Sequence, residues 1–366
     1  MVKTYTLNNR GLITKETVTK SGLPTKTLET YYDSTYRHVT GEKNTLGHRS
    51  TIGYDSLGRK HYTQTANGQR TYYTYNKLGR LTGEISTPAS NHSTSGSLAI
   101  STSKAKYWCK GTNHCPTSGV YFEETVAEGA PNSRIYYDVL GRKLREGSVA
   151  LNGTYVYVDY GYDSKGRKVK ESMPYFAGNT PIWNSYEYDK QNRAVKVTKS
   201  DLSQWLTEYN GESVTSVNPA GHRNTQVKNA MGLLVKVTDA NGKSATYEYD
   251  ENGKSRKLTG PKGSQIQVTF DKYGNKTKVV DPDKGTVNYS YNAYHQLTQE
   301  SDSNGNVMTY KYDSIGRATE SVRKRNGKLE HHTVTEYDKG SYAKGMVYQT
   351  TDKVSGFTER FYYDAF

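Results

Sequence analysis

Four segments decide the reading of this chain: YEYDENGK at 247–254, VTFDKYGN at 268–275, YSYNAYHQ at 289–296 and YKYDSIGR at 310–317. Their anchor aromatics are Tyr249, Phe270, Tyr291 and Tyr312, each 21 residues from the next. A fixed period of this size marks a repeat architecture. Working outward, the same pattern stands at Tyr54-Asp55-Ser56-Leu57-Gly58-Arg59, Tyr75-Asn76-Lys77-Leu78-Gly79-Arg80, Tyr137-Asp138-Val139-Leu140-Gly141-Arg142 and Tyr162-Asp163-Ser164-Lys165-Gly166-Arg167. It continues at Tyr188-Asp189, Tyr209-Asn210, Tyr337-Asp338 and Tyr363-Asp364. The copy at Tyr32-Asp33 has lost its glycine, and the one at Lys228-Asn229 has decayed further.

Within one period, Tyr247 and Tyr249 alternate with polar neighbours, the pattern of a half-buried strand. Asp250-Glu251-Asn252-Gly253 reads as a turn. Asp can accept the backbone N–H two residues on, and Asn-Gly tolerates positive φ. Ser255 to Thr259 reads as a second strand, and Gly260-Pro261-Lys262-Gly263 as a second turn. A repeat is therefore two short strands and two turns. One hairpin alone is marginal in water, whereas stacked hairpins stabilise one another. Helix signals are nearly absent. The expected fold is all-β: a β-hairpin array forming one long, curved, spiralling sheet, with one irregular insertion.

Composition agrees with strands that keep a wet face. The chain has 34 Tyr and 34 Gly, and it is 33% hydrophobic with 12% aromatic. Disordered chains are poor in aromatics, so the tyrosines decide against disorder. The formal net charge of +14 is spread along the turns and forms no patch. Nucleic acid is therefore not an expected partner, and the reading is a solvated basic surface. No apolar run is long enough to span a membrane, no signal peptide opens the chain, and Val2-Lys3-Thr4-Tyr5 already reads as repeat material.

The recurring residues read as structure. The set is Tyr54, Asp55, Gly58 and Arg59; Tyr137, Asp138, Gly141 and Arg142; Tyr162, Asp163, Gly166 and Arg167; Tyr249, Asp250 and Gly253; and Tyr312, Asp313, Gly316 and Arg317. Asp holds the turn, Gly supplies a φ that a Cβ opposes, and Arg can pair with an acid or lie over an aromatic ring. A catalytic Asp does not recur at every period. The histidines, including His222, His295, His331 and His332, follow no metal-binding spacing. No Ser-His-Asp or Cys-His arrangement, phosphate loop or dinucleotide fingerprint is present. No enzyme, cofactor or metal is expected.

Gly83 to Ala130 breaks the period. Thr87 to Ser103 is rich in Ser and Thr and reads as a surface loop. Tyr107 to Phe122 is denser and holds both cysteines, so the stretch is expected to pack against the repeats. Cys109 and Cys115, with His114 beside the second, leave three readings open: a disulfide, a partial zinc site short of its fourth ligand, or two reduced thiols. Longer turns are expected near Met173-Pro174 and Asn179-Thr180-Pro181, where extra residues enter the spacing.

The Tyr-Asp-x-x-Gly-Arg pattern over residues 31–80 and 134–366 resembles the RHS, or YD-repeat, family. That family includes bacterial RHS proteins, the B and C components of ABC-type toxin complexes, wall-associated proteins and teneurins. The resemblance implies a β-strip that spirals into a hollow shell, here a partial one. In bacterial members it implies a shell around a toxic C-terminal domain. The insertion looks more like bacterial members than teneurins. The family's terminal core segment with its self-cleaving aspartyl site is not found. Asp281-Pro282 lies inside a repeat and reads as a turn.

The expected division is N-terminal repeats at 1–82, the insertion with both Cys at 83–133, and a repeat array at 134–366. The array stops mid-motif at Phe366, so the natural protein is expected to continue. The expected function is a non-enzymatic structural piece of a shell that encapsulates a toxin payload. Its partners are then the rest of the same polypeptide (further YD repeats and the payload) or a partner toxin subunit. It would be made in the bacterial cytoplasm and secreted or displayed at the cell surface. The rival reading is an extracellular module that binds glycans or proteins through exposed Tyr and Arg.

Overall fold

The computed structural model describes residues 2–89, 99–109 and 115–364. Every helix or strand among them is a β-strand, from Val2–Leu7 to Thr358–Arg360. Pairing is antiparallel and almost always between chain neighbours. In the repeat that decided the reading, Ser244–Tyr249 lies against Ser255–Thr259, with Tyr247 opposite Leu258 and Tyr249 opposite Ser255. The register slips between Glu248 and Tyr249, so a bulge precedes the turn. The same slip occurs at Tyr54, Tyr137, Tyr162, Tyr188, Phe270, Tyr291, Tyr312 and Tyr337. On the opposite side, Leu234–Thr238 pairs with Ser244–Tyr249 without a slip. A bulge bends a strand and increases its right-handed twist. These hairpins are therefore twisted on their Tyr-Asp side, whereas the one at Tyr209 pairs without a slip.

The two faces of the repeats differ in chemistry. Tyr186 pairs with Val197, Val197 with Trp205, Tyr209 with Val214 and Tyr247 with Leu258, which puts tyrosines and aliphatics on one face. Lys196 with Glu187 and Lys257 with Glu248, each at 3.1 Å, occupy the other face. Exposed pairs of this kind are worth little individually. Neither face is sealed. The buried hydrophobic residues are only Ala89, Phe122, Tyr136, Tyr157, Val217 and Ala343 among the described residues. The chain exposes 23193 Å², where a compact protein of this length exposes about 15,000 Å².

Contacts divide the chain into two compact units. One comprises 1–74, 84–100 and 265–366, and the other 75–83 and 101–264. The second holds the hydrophobic cluster of Phe122, Tyr136 and Tyr157, with Cys109, Cys115, Tyr155 and Tyr175 packed against it. Cys109 and Cys115 are joined in a disulfide, which removes them as zinc ligands. His114 lies outside the described residues. The surface loop expected from Thr87 to Ser103 is corrected at its end, because Ile100–Trp108 is a strand. Its Ser- and Lys-rich sequence carries no apolar alternation, and it is held in register by Tyr121–Ala127. Residues 90–98 of that expected loop lie outside the described residues. The longer turn after Ser172 contains a two-residue strand, Tyr175–Phe176, that doubles back onto Val156 and Tyr157. It brings the Tyr175 hydroxyl to 2.8 Å from Asp159, which also pairs with Arg145. Burial pushes the Tyr157 and Tyr175 phenols up to about 12.

The Tyr136 ring is fully buried, and its hydroxyl has no hydrogen-bond partner among the described residues. The Arg134 guanidinium and the Tyr157 hydroxyl lie close to it but outside hydrogen-bond geometry. A buried hydroxyl without a partner is destabilising. Tyr136→Phe should therefore raise stability by up to about 1 kcal/mol, whereas Tyr136→Ala should cost about 3–5 kcal/mol through the cavity it leaves. Urea unfolding followed by tyrosine fluorescence checks both, and a clear loss in the Phe variant would mean that the hydroxyl is satisfied.

Candidate functional site: the repeat turn

One carboxylate builds each motif turn. Asp55 Oδ1 accepts the N–H of Leu57 and of Arg59, both at 2.9 Å, and Oδ2 accepts Arg59 Nε–H at 2.7 Å. Gly58 donates its N–H to the Asp55 carbonyl and sits at φ 76°. The Asp Oδ2 to Arg Nε bond recurs at 2.7 Å in Asp138–Arg142, Asp163–Arg167, Asp189–Arg193 and Asp313–Arg317. Gly141, Gly166, Gly253 and Gly316 hold the same positive φ. Asp250 accepts the N–H of Asn252 and Lys254 at 2.9 Å, with Lys254 standing where other copies carry Arg. Degenerate copies keep the backbone: Tyr36, Asn192 and His295 replace Gly at φ 59°, 64° and 62°. Asn275 replaces Arg after Phe270 and donates Nδ2 to Asp271 at 2.7 Å; in the opposite-side turn, Asn306 Nδ2 donates to Asp302 at the same distance.

The turns are linked from repeat to repeat. The Arg142 guanidinium lies 4.9 Å over the Tyr162 ring, and that hydroxyl donates to the carbonyl of Lys143 at 2.8 Å. Arg167 covers Tyr188, which donates to Lys168 at 2.7 Å. Arg193 covers Tyr209, which donates to Ala194, and Arg317 covers Tyr337, which donates to Ala318. In each case the tyrosine takes the carbonyl of the residue after the arginine. Tyr54, Tyr249 and Tyr312 take those of Val39, Leu234 and Leu297 at 2.9, 2.7 and 2.7 Å. At Tyr54 a stacked His38 ring, 4.5 Å away, stands in for the guanidinium. Tyr137 follows the insertion, and its ring stacks on Tyr121 at 4.9 Å.

The motif residues are not gathered into one pocket; they recur along the strip. Sequence reasoning missed the tyrosine hydroxyl bond. Its signal was the spacing from each Arg to the next motif Tyr, as in Arg142 to Tyr162 and Arg317 to Tyr337. Among the described residues no group of three or more His, Cys, Asp or Glu could hold a metal ion, and no helix is long and apolar enough to cross a membrane.

The turn carboxylates titrate low. The Arg59 N–H foremost, with its guanidinium, pulls Asp55 down. Burial alone would raise Asp138, Asp163, Asp189 and Asp313, but the N–H and guanidinium of the following arginine outweigh it. A carboxyl with a lower pKa folded than unfolded adds stability that is complete above its unfolded pKa. That stability is lost as the pH falls through the folded pKa. The melting temperature should be flat from pH 7 to about 5 and fall below about 4. Calorimetry across that range checks it, and an Asp55→Asn/Asp163→Asn/Asp313→Asn variant should start lower and fall less. Tyr249→Phe, which loses one neutral hydrogen bond, should cost about 1 kcal/mol, measured by urea unfolding at pH 7.

Residues 213–365 match the model of the teneurin YD-shell family. No curated protein matches the chain in sequence. The TcdB2-TccC3-TEV crystal structure is similar with a TM-score of 0.74 at 11% identity, over 96% of this chain and 24% of that one. The TcdB2-TccC3 crystal structure gives 0.69 at 12% identity, over 99% and 26%. The Photorhabdus luminescens Tc holotoxin pore gives 0.69 at 12% identity, over 93% and 24%. At these identities the likeness is one of fold, and the chain spans about a quarter of the matched chains. With in-phase Tyr-Asp-x-x-Gly-Arg turns and hairpins bulged on the Tyr-Asp side, the chain has an all-β YD-shell fold, similar over residues 213–365 to the teneurin YD-shell family and in architecture to the TcdB2-TccC3 structures.

Proposed function

We propose that the chain is a length of wall in a bacterial RHS/YD-repeat toxin shell, which keeps a C-terminal toxin payload apart from the cell that makes it. One observation carries the reading. On the tyrosine face, the motif hydroxyls are tied to the strip's own carbonyls. A polypeptide lying against that face meets ring surface whose motif hydroxyl bonds are already spent, and the aliphatic side chains there are half-buried between the rings. Such a wall contains without binding tightly. The fold likeness to chains about four times as long supports placing this stretch within a larger wall. Its partners are then further YD repeats, the payload or a partner toxin subunit. The wall itself does no chemistry, and the assembled protein is exported or displayed at the cell surface.

A second reading rests on Trp108, which is 72% exposed, with Trp205 at 46%. Exposed indole rings suit recognition of glycans or proteins. A glycan array on the purified chain separates the two readings: saturable binding lost in Trp108→Ala would favour surface recognition.

The test of encapsulation uses the parent polypeptide. Protease added to the native protein should spare the payload and digest it once the wall is unfolded. Tyr209→Leu/Tyr247→Leu/Tyr249→Leu makes the face more adhesive and should slow payload release severalfold. A payload digested equally fast with the wall intact, or release unaltered by the three leucines, would count against encapsulation.

A further inference from the structure

We infer that residues 338–346 form a releasable clasp that fastens the first strands of the chain to its last ones, within the unit that contains both. This inference stands apart from the proposed encapsulation. It begins from a departure in the sequence. After Tyr337 the motif keeps its Asp but not its five-residue loop. The loop from Asp338 closes on the Met346 carbonyl, at 3.1 Å, instead of on a residue four positions along. Asp338 and Tyr342 are held at φ 65° and 55°, conformations that non-glycine residues avoid. Strain of this kind persists only where the surroundings impose it.

The loop is seated on a socket 277 residues earlier in the chain. Lys344 donates its N–H to Asn67 Oδ1 at 2.9 Å, and Asn67 Nδ2 donates to the Lys344 carbonyl at 3.1 Å. The Asn67 amide thus completes both backbone bonds that a neighbouring strand would supply. Ala343, beside it, is only 2% exposed. At the base of the loop, Asp338 is gripped by both terminal nitrogens of Arg317, at 2.9 and 2.5 Å, and by the Gly345 N–H at 2.6 Å. His48 Nε2 reaches the same carboxylate at 3.3 Å from the N-terminal strands. Tyr294 makes a further fastening. Its hydroxyl lies 3.0 Å from the carbonyls of Val18 and Pro24, under the ammonium groups of Lys20 and Lys26.

The make-up of these contacts makes the clasp releasable. They join side chains to main chain, or charge to charge, and Ala343 is the one buried apolar group of the loop. The strands on either side draw their ladder bonds from their own chain neighbours. Opening the clasp therefore breaks no hairpin and relieves Asp338 and Tyr342. Local opening of low cost is expected where few apolar contacts hold a segment.

Amide hydrogen exchange on the chain of residues 1–366 tests this. In the unaltered protein, Lys344 and Gly345 should exchange by local opening, with little dependence on low urea. Amides of Asn306–Tyr312 and Ala318–Arg325 should follow global unfolding. Asn67→Ala removes both bonds and should speed exchange at Lys344 and Gly345 at least tenfold. Asn67→Asp keeps the acceptor, loses the donor and should fall between. If Lys344 shares the urea dependence of the strands in the unaltered chain, the clasp is not a separate opening unit and the inference fails. It fails equally if Asn67→Ala leaves Lys344 unmoved or speeds the strands as much as the loop.

Discussion

Everything in this chain depends on how one aspartate uses its two oxygens. In each intact turn, Oδ1 gathers the backbone N–H groups of the loop and Oδ2 fixes the arginine that follows. The fixed guanidinium lies over the tyrosine of the next repeat, and that tyrosine bonds back to the carbonyl beside the same arginine. Turn, cation and ring form a closed relay between consecutive hairpins. An exposed Asp–Arg pair contributes little by itself, and a surface cation over a ring not much more. Here each group orients the next, so the ordering entropy is shared along the relay. A hairpin too small to fold alone acquires a neighbour-dependent stability of the kind repeat arrays need.

That device explains how the chain folds with so few aliphatics. Most of the strip covers neither of its faces, and tyrosine supplies ring area together with a tip that can be satisfied at the surface. Among the described residues, a packed cluster exists only where the period is broken. There the stretch between Ile100 and Ala127 brings Phe122 onto Tyr136, at 5.2 Å between ring centroids. The disulfide and the short strand at Tyr175–Phe176 pack over the same cluster. Arg145, stacked 4.6 Å over Tyr157 and paired with Asp159, carries charge to its rim. The insertion thus does locally what the relay does along the array, by covering a sheet face.

The strands and turns of the array were legible because their causes are local. A left-handed position three residues after Asp and N–H groups two and four residues after it are set within one loop, so Asp250 to Lys254 declares itself. The relay was half legible. Arg over a ring was anticipated as a type of contact, but which ring requires knowing that consecutive hairpins lie side by side. The strand Ile100–Trp108 was hidden because its residues do not alternate, and only the neighbouring edge at Tyr121–Ala127 makes it a strand. Tyr175–Phe176 was hidden because two residues carry no period. The pairing of Asn67 with Lys344 had no sequence signal at all. One asparagine in a turn looks like any other, and its partner is chosen by where the array returns.

The polar character of that return contact follows from the same economy. Two strips that meet through a large apolar stripe would each expose that stripe before meeting, and exposed apolar surface invites association with other chains. Asn67, His48, Arg317 and Asp338 remain well solvated when apart and become specific only when brought together, since an amide that satisfies both an N–H and a carbonyl tolerates little displacement. A repeat array is open at every stage of its growth. Its long-range contacts are best made from groups that cost little to leave in water and bind in one geometry, which is the division of labour found here between the relay along the strip and the clasp across it.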